Sequence, residues 1–321
     1  MQAWDLERKI RVTQLRIMEW YEHYNGSVYV SFSGGKDSTV LLDLARRIYP
    51  DIEAVFIDTG LEYPEIRRFV KTFDNVTRLK PKMKFKEVIE TQGYPVISKE
   101  VSECVMQARL ALIKPDKYQY RLERINGTQK DKNGVLSAYN MKKWKFLMDA
   151  PFKISHKCCN IMKKEPAHRF ERESGKHPII GTMAQESRLR LSQWKKVGCN
   201  GFNMKKPTSN PMSFWTEQDV LNYLNTFKIP FCSVYGEIVQ DGDKLITTKC
   251  QRTGCMFCAF GCHLEKEPNR FQMLEITHPK QHDFCIRPVE ENGLGMGEVL
   301  DFVGIKYTNG EIGDTSLNES A

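Results

Sequence analysis

Six residues, Ser33-Gly34-Gly35-Lys36-Asp37-Ser38, lie between a short apolar run, Ser27 to Phe32 (SVYVSF), and a helical pattern from Ser38 to Tyr49 (STVLLDLARRIY). A strand that turns through two glycines directly into a helix aims backbone N–H groups at one point. The helix N-terminus adds roughly half a positive charge there. Lys36 can meet a phosphate oxygen, and Ser33 and Ser38 carry hydroxyl donors. The plainer alternative is a tight turn with Ser38 as helix cap, but a full six-residue string between strand and helix favours anion binding. The spacing differs from that of a Walker loop, which requires GxxxxGK[ST].

The pattern that follows fixes the architecture around this loop. Glu53 to Asp58 reads as a strand, Pro64 to Asp74 as a helix with proline in its first turn, Val76 to Leu79 as a strand, and His177 to Thr182 as another. Strands alternating with helices predict an α/β fold with a doubly wound parallel sheet. Leu6, Ile10, Ile17 and Tyr21 recur at helical spacing, so residues 3–24 are expected to form an amphipathic helix. Ser98 to Ile113 reads as a helix, Asn126 to Asn140 as a polar insertion, and Thr216 to Phe227 as a helix capped by Thr216. At 321 residues, 40% of them apolar, the chain has material for about two domains. The expected division is an α/β domain over residues 1–228 and a smaller cysteine-rich segment over 229–321. Gly293-Leu294-Gly295-Met296-Gly297 has no strand before it and reads as a loop and helix cap rather than a dinucleotide site.

Apolar runs are far shorter than the roughly 20 residues needed to span a bilayer, and the N-terminus lacks a signal-peptide core. A soluble, cytoplasmic protein without a membrane partner is expected. The net charge of +8 is concentrated: Val105 to Lys164 holds fourteen Lys and Arg against four Asp and Glu. Tyr118, Tyr120, Tyr139 and Trp144 are interleaved with those bases, a composition that suits phosphates and stacked bases. The basic insertion, about 105–150, is therefore a candidate nucleic-acid surface, and a solvated lysine-rich face is the alternative.

Several segments resemble a known family. SGGKDS resembles the pyrophosphate-binding loop (PP-loop) of the adenine-nucleotide alpha-hydrolase superfamily. Phe56 to Glu65, with Asp58-Thr59-Gly60 and then Pro64-Glu65, resembles the second-strand segment of phosphoadenosine phosphosulfate (PAPS) reductases. Cys158-Cys159-Asn160-Ile161-Met162-Lys163-Lys164-Glu165-Pro166 resembles the CCxxRKxxP segment of the iron-sulfur adenylylsulfate (APS) reductases, with Met162 in place of arginine. Asn210-Pro211-Met212, Trp215-Thr216 and Asp219-Val220 resemble their NPL..WT..DV stretch. Gly181 to Arg190 is similar to their substrate-gripping segment, with Met183 where another arginine is usual.

The resemblance implies an adenine nucleotide, ATP, APS or PAPS, held by Ser33, Gly34, Gly35, Lys36, Asp37 and Ser38. Asp58 and Thr59 would sit in the same crevice, with Lys163, Arg188 and Arg190 on the anionic substrate and Mg as a possible companion ion. Lys36, Asp37, Arg188, Arg190 and Cys262 are the candidate catalytic residues. The ten cysteines divide in the same spirit. The resemblance names Cys158, Cys159, Cys255 and Cys258 as ligands of a [4Fe-4S] cluster. Read from spacing alone, Cys250, Cys255, Cys258 and Cys262 (C-x4-C-x2-C-x3-C) form an alternative zinc site. In the cluster reading, Cys250 and Cys262 are left over. A thiolate at Cys262, beside His263, is expected to have a lowered pKa and to serve as nucleophile or persulfide carrier, or else to support the cluster. Core packing is expected for Cys104, Cys199, Cys232 and Cys285.

Three functional readings follow. In sulfonucleotide reduction, a cysteine near the C-terminus attacks the sulfur of PAPS or APS, and a thioredoxin-like reductant releases sulfite. The stretch Glu311 to Ala321 has no cysteine, so Cys262 or Cys285 would have to substitute. In ATP-dependent sulfur transfer to tRNA or the DNA backbone, an adenylated oxygen leaves as AMP and a cysteine-desulfurase-type donor supplies sulfur. The basic window fits that reading. A noncatalytic nucleotide- or nucleic-acid-binding module is the third.

Overall fold

A computed structural model describes residues 1–310. The cysteine-free stretch Glu311 to Ala321 lies outside the described residues. In chain order the helices and strands are α1 (Leu6–His23), β1 (Val28–Ser31), α2 (Lys36–Arg46), β2 (Ala54–Ile57), α3 (Pro64–Val70), β3 (Val76–Leu79), α4 (Phe85–Gln92), β4 (Val96–Ile97), α5 (Lys99–Ile113) and α6 (Gln119–Asn126). There follow α7 (Glu165–Ser174), β5 (His177–Ile180), α8 (Arg188–Val197), β6 (Asn200–Gly201), β7 (Thr208–Ser209), α9 (Glu217–Thr226), β8 (Ile238–Asp241), β9 (Lys244–Thr247), β10 (Ala259–Phe260), α10 (Arg270–Thr277), α11 (Pro279–Ile286) and α12 (Met296–Phe302). No helix among the described residues is long and apolar enough to cross a membrane.

The chain forms two compact units, each built from two stretches. The first takes residues 1–82 and 163–254, the second 83–162 and 255 onward. This division differs from the linear boundary expected near Lys228. The reason is pairing between distant segments: β4 lies parallel to β10, with Val96 opposite Ala259 and Ile97 opposite Phe260. The basic insertion is thus in the unit that carries Cys158, Cys159, Cys255, Cys258 and Cys262, while Cys250 belongs to the first unit.

The first unit holds a six-stranded sheet in the order β3-β2-β1-β5-β7-β6. It is parallel except for β6 against β7. β1 (VYVS) and β2 (AVFI) are buried through their first three residues. Such continuous apolar runs suit strands covered by helices on both faces. Successive strands lead from β1 through β2 to β3 on one side, and the chain returns to place β5 on the other side of β1. That reversal opens a crevice at the carboxyl ends of β1 and β5.

Helix α1 forms as expected, but its buried positions are Lys9, Thr13, Ile17 and Trp20. Two polar residues can be buried because both are bonded. Lys9 Nζ lies 2.6 Å from Asp219 Oδ2 and donates to Gln2 O at 2.6 Å, while Thr13 Oγ1 accepts from Trp215 Nε1 at 2.8 Å. Leu6, Ile10 and Tyr21 pack half-buried beside that face.

In the second unit α5 buries Val101, Cys104, Val105, Ala108 and Ala111. Arg109 donates to the carbonyls of Leu147, Ala150 and Phe152, each at 2.8 Å, and so uses its charge to tie down a turn. Arg124 is also committed, to Tyr139 O at 3.0 Å and to Glu100 at 2.8 Å. The lysines of this segment differ: Lys114, Lys117, Lys130, Lys132, Lys142, Lys143 and Lys145 are exposed.

Candidate functional site

The Ser33–Ser38 loop leaves β1 and enters α2, whose first residue is Lys36 with Gly35 as its cap. Gly34 has φ +72°, and a Cβ there would lie 2.8 Å from Val70 Cγ2 and 3.0 Å from Ile66 Cγ2. Only glycine lets the loop lie this close to α3. Ser33 and Ser38 hydroxyls are 3.0 Å apart, and Ser38 also accepts from Ser33 N at 3.2 Å. Gly35 caps α2 with no side-chain bond, which leaves the helix N-terminus facing the crevice.

Two cavities meet at this loop. The polar one, about 460 Å³, is lined by the loop from Gly35 to Ser38 together with Glu186, Arg190, Glu217, Tyr235 and Arg252. The other, about 520 Å³, is lined by Phe32, Val55, Phe56, Ile57, Ile66 and Lys163, among others. They share Ser31, Ser33, Ile180 and Thr253, residues at or beside the carboxyl ends of β1 and β5 or in the loop 251–254.

Lys36 is 5% exposed and its Nζ donates to Glu217 Oε1 at 3.0 Å over the ring of Tyr235. The Tyr235 hydroxyl accepts from Lys36 N at 3.3 Å and lies 2.6 Å from Thr253 Oγ1, so the loop 251–254 is fastened to the Ser33–Ser38 loop. Glu186 accepts from Arg252 Nη2 at 2.8 Å and also pairs with Arg190. The Asp37 carboxyl is pushed up to about 6 by burial, with Glu186 adding to the rise and Lys36 and Arg252 opposing it.

The expected residues fall into two groups. Ser33, Gly35, Lys36, Asp37, Ser38 and Arg190 line the polar cavity, and Lys163 lines the apolar one. Gly34, Asp58, Thr59 and Arg188 line neither. Asp58 pairs with Arg67 at 3.0 Å, and Thr59 donates through Oγ1 to Glu62 Oε1 at 2.7 Å, so both close their own turn. Glu62 lines the apolar cavity in their place. Glu186, Glu217, Tyr235, Arg252 and Thr253 escaped the reading of the sequence. The only signal for them was Glu186 within the quoted Gly181–Arg190 segment.

In the second unit the sulfurs of Cys158 and Cys159 lie 4.0 Å apart. Cys258 N donates to Cys255 O at 3.2 Å, and Arg270 Nη1 donates to Cys258 O at 2.9 Å. The Cys158 thiol is pushed well above its ordinary value by its bond to Cys159, then by burial and by the charges of Cys159, Cys258 and Cys255. Four sulfurs that repel one another as thiolates fit a cationic iron-sulfur centre, for which cysteine thiolates are the standard ligands. Among the described residues no three His, Cys, Asp or Glu groups close round a point for one metal ion.

Cys262 is 2% exposed, and burial, with Glu265 adding, pushes its thiol up to about 12. The lowered pKa expected beside His263 is thus not what its surroundings produce. His263 is itself lowered by burial and by Lys143, so it supplies no positive charge to oppose the rise. Cys104, Cys199, Cys232 and Cys285 are buried.

A sequence model of the phosphoadenosine phosphosulfate reductase domain matches residues 27–104 and 107–260. The chain belongs to this family. Among relatives of this PAPS reductase family member, the adenosine 5'-phosphosulfate reductase of Staphylococcus haemolyticus is 28% identical over 227 residues, 69% of this chain and 70% of that protein. An uncharacterized protein of Methanocaldococcus jannaschii is 34% identical over 131 residues, 39% of this chain. The match spans 31% of that archaeal protein's length. A crystal structure of phosphoadenylyl-sulfate (PAPS) reductase from Candida auris, in complex with phosphate, aligns with a TM-score of 0.39 at 15% identity, covering 75% of this chain and 96% of that one.

Proposed function

We propose that this family member is an enzyme that binds an adenine nucleotide across the two joined cavities and uses it for sulfur chemistry. The nucleoside occupies the apolar cavity beside β2, and the phosphates lie on the Ser33–Ser38 loop under Lys36. The observation that carries this is the joining of the two cavities at the switch point of a parallel sheet, one polar and built on a helix N-terminus, the other largely apolar. Lys163 and Arg190 are the cations for the substrate's anionic end, and Arg252 takes a share that Met183 cannot.

In the reductase form, a cysteine thiolate attacks the sulfur of APS or PAPS, the nucleotide leaves, and a thioredoxin-type reductant frees sulfite. Cys158, Cys159, Cys255 and Cys258 are the residues that would hold a [4Fe-4S] cluster. Bound there, the cluster would supply redox capacity. A second reading has its own support: among the described residues, none that lines either cavity is a cysteine. The polar cavity is also roomy enough for a pyrophosphate leaving group. ATP-dependent sulfur transfer, with AMP and pyrophosphate as products, fits both points.

The test is calorimetric titration of ATP, APS and PAPS into the protein and into Lys36→Ala, with sulfite and pyrophosphate assayed in parallel. Loss of a charge-assisted contact of about 1.5–3 kcal/mol weakens binding roughly 10- to 150-fold. Unchanged affinity in the variant removes the phosphate-loop assignment. Sulfite selects the reductase form, and pyrophosphate without sulfite selects sulfur transfer.

A further inference from the structure

Ser187 to Lys206 carries six cations, Arg188, Arg190, Lys195, Lys196, Lys205 and Lys206, and no carboxylate. Half of this stretch is α8, a ten-residue helix that buries none of its residues. It is held at its ends, where Ser187 Oγ accepts from Arg190 N at 3.2 Å and Gly198 N donates to Trp194 O at 2.8 Å. Trp194 is the residue of this helix that packs against the hydrophobic core, so beyond it and the caps the short helix has little to stabilise it. Leu189 is 84% exposed at its start. Arg188, Lys195, Lys196 and Lys205 are exposed and make no ion pair with a carboxylate among the described residues.

A third cavity, about 390 Å³, lies against the same helix and includes Met183, Arg190, Trp194, Cys199, Met204 and Asn210 in its lining. It shares Ile180, Thr182, Met183 and Arg190 with the polar cavity. Its wall combines Trp194 and two methionines with the side chain of Asn210, surfaces suited to a flat ring with polar edges.

We propose that α8 and the residues following it to Lys206 dock a nucleic-acid strand. Its phosphates lie on Arg188, Lys195, Lys196 and Lys205, and it presents one nucleotide to the third cavity. This deepens the sulfur-transfer reading, and it rests on that reading for the nucleotide in the neighbouring polar cavity. The partner is a polyphosphate rather than an acidic protein because four of the six cations are lysine, a residue depleted at protein interfaces. An acid-free row of point charges is the footprint of a backbone. Trp194 supplies a stacking face that needs no particular base.

The experiment is fluorescence anisotropy of the full chain with a labelled single strand of about 30 nucleotides, longer than the roughly 4–16 that one small binding fold covers. Titrations run from about 50 to 200 mM salt, beside an ATP titration of each protein. In Lys195→Glu/Lys196→Glu the slope of log affinity against log salt is expected to fall by about 2. The affinity lost over that fourfold salt range then shrinks by about 16-fold, and ATP affinity is unchanged, since neither lysine lines a nucleotide cavity. Lys205→Glu alone is expected to lower the slope by about 1, which keeps the test open should the double variant fold poorly.

Three results overturn the proposal. One is no strand binding at the lowest salt. Another is binding abolished by Lys142→Glu/Lys143→Glu in the other basic segment but not by the α8 variants. The third is salt-sensitive capture of poly-glutamate with no binding of the strand, which assigns the surface to an acidic protein. Strand binding with the expected slopes but no ATP binding supports the docking surface and overturns the nucleotide reading alone.

Discussion

Asp37 lies in the first turn of α2, where a carboxylate would ordinarily be stabilised by the helix dipole. Its surroundings reverse that preference: burial and Glu186 raise it from an ordinary value near 3.8 to about 6, against the opposing pull of Lys36 and Arg252. The displacement corresponds to about 3 kcal/mol. Because the folded state holds the proton more tightly than the unfolded chain, the stabilisation is fully present below about pH 3.8 and is lost as the pH rises through 6. About half is gone at pH 5 and nearly all by pH 8. Asp37→Asn carries no such dependence. The stability of the variant relative to the parent is therefore expected to increase by about 1.4 kcal/mol between pH 5 and pH 8. Urea unfolding of both proteins at the two pH values measures this directly, with the first unit followed through Trp20 or Trp215, both fully buried. A difference that stays constant with pH, or that moves in the parent's favour as the pH rises, refutes the reasoning. An anionic ligand in the same cavity would raise Asp37 further, so nucleotide binding should take up a proton near neutral pH and tighten as the pH falls.

Lys9→Ala removes one partner of a pair whose side chains are 2% and 14% exposed and leaves Asp219 facing a buried vacancy. Thermal or denaturant unfolding should show a loss of about 3–5 kcal/mol, and a loss under about 1 would mean that the pair contributes no more than a surface contact. Cys158→Ser/Cys159→Ser should purify under anaerobic conditions with iron and acid-labile sulfide far below the parent's, while full retention of both shows that the ligands lie elsewhere.

The parallel sheet and the strand-turn-helix at Ser33–Ser38 were legible because their signals are local. SVYVSF followed by SGGKDS states a strand, a turn and a helix within a few residues, and β1, Gly34 and α2 realise it with shifts of one to three positions. The domain division was not legible, because β4 and β10 are short and about 160 residues apart. Neither strand carries a pattern that names its partner. The face of α1 shows the same limit on a smaller scale. Hydrophobic spacing chose Leu6, Ile10, Ile17 and Tyr21, but Lys9 and Thr13 turn inward because Asp219 and Trp215 are there to bond them.

The candidate site repeats this contrast. Asp58 and Thr59 follow the second strand as a crevice residue should, yet Arg67 and Glu62, a turn further on, draw their side chains into a closed loop. Arg252 and Thr253 lie in a stretch between cysteines, where sequence reasoning attends to metal ligands. Their contacts to Glu186 and Tyr235 place that stretch on the polar cavity instead. The two arginines on Glu186 also give Met183 a physical reading. Arg252, from the loop 251–254, bonds the same carboxylate as Arg190, so part of the positive charge on this cavity comes from a loop rather than from the strand end that carries Met183. Met183 leaves an apolar side chain on the wall shared by the polar cavity and the cavity beneath α8.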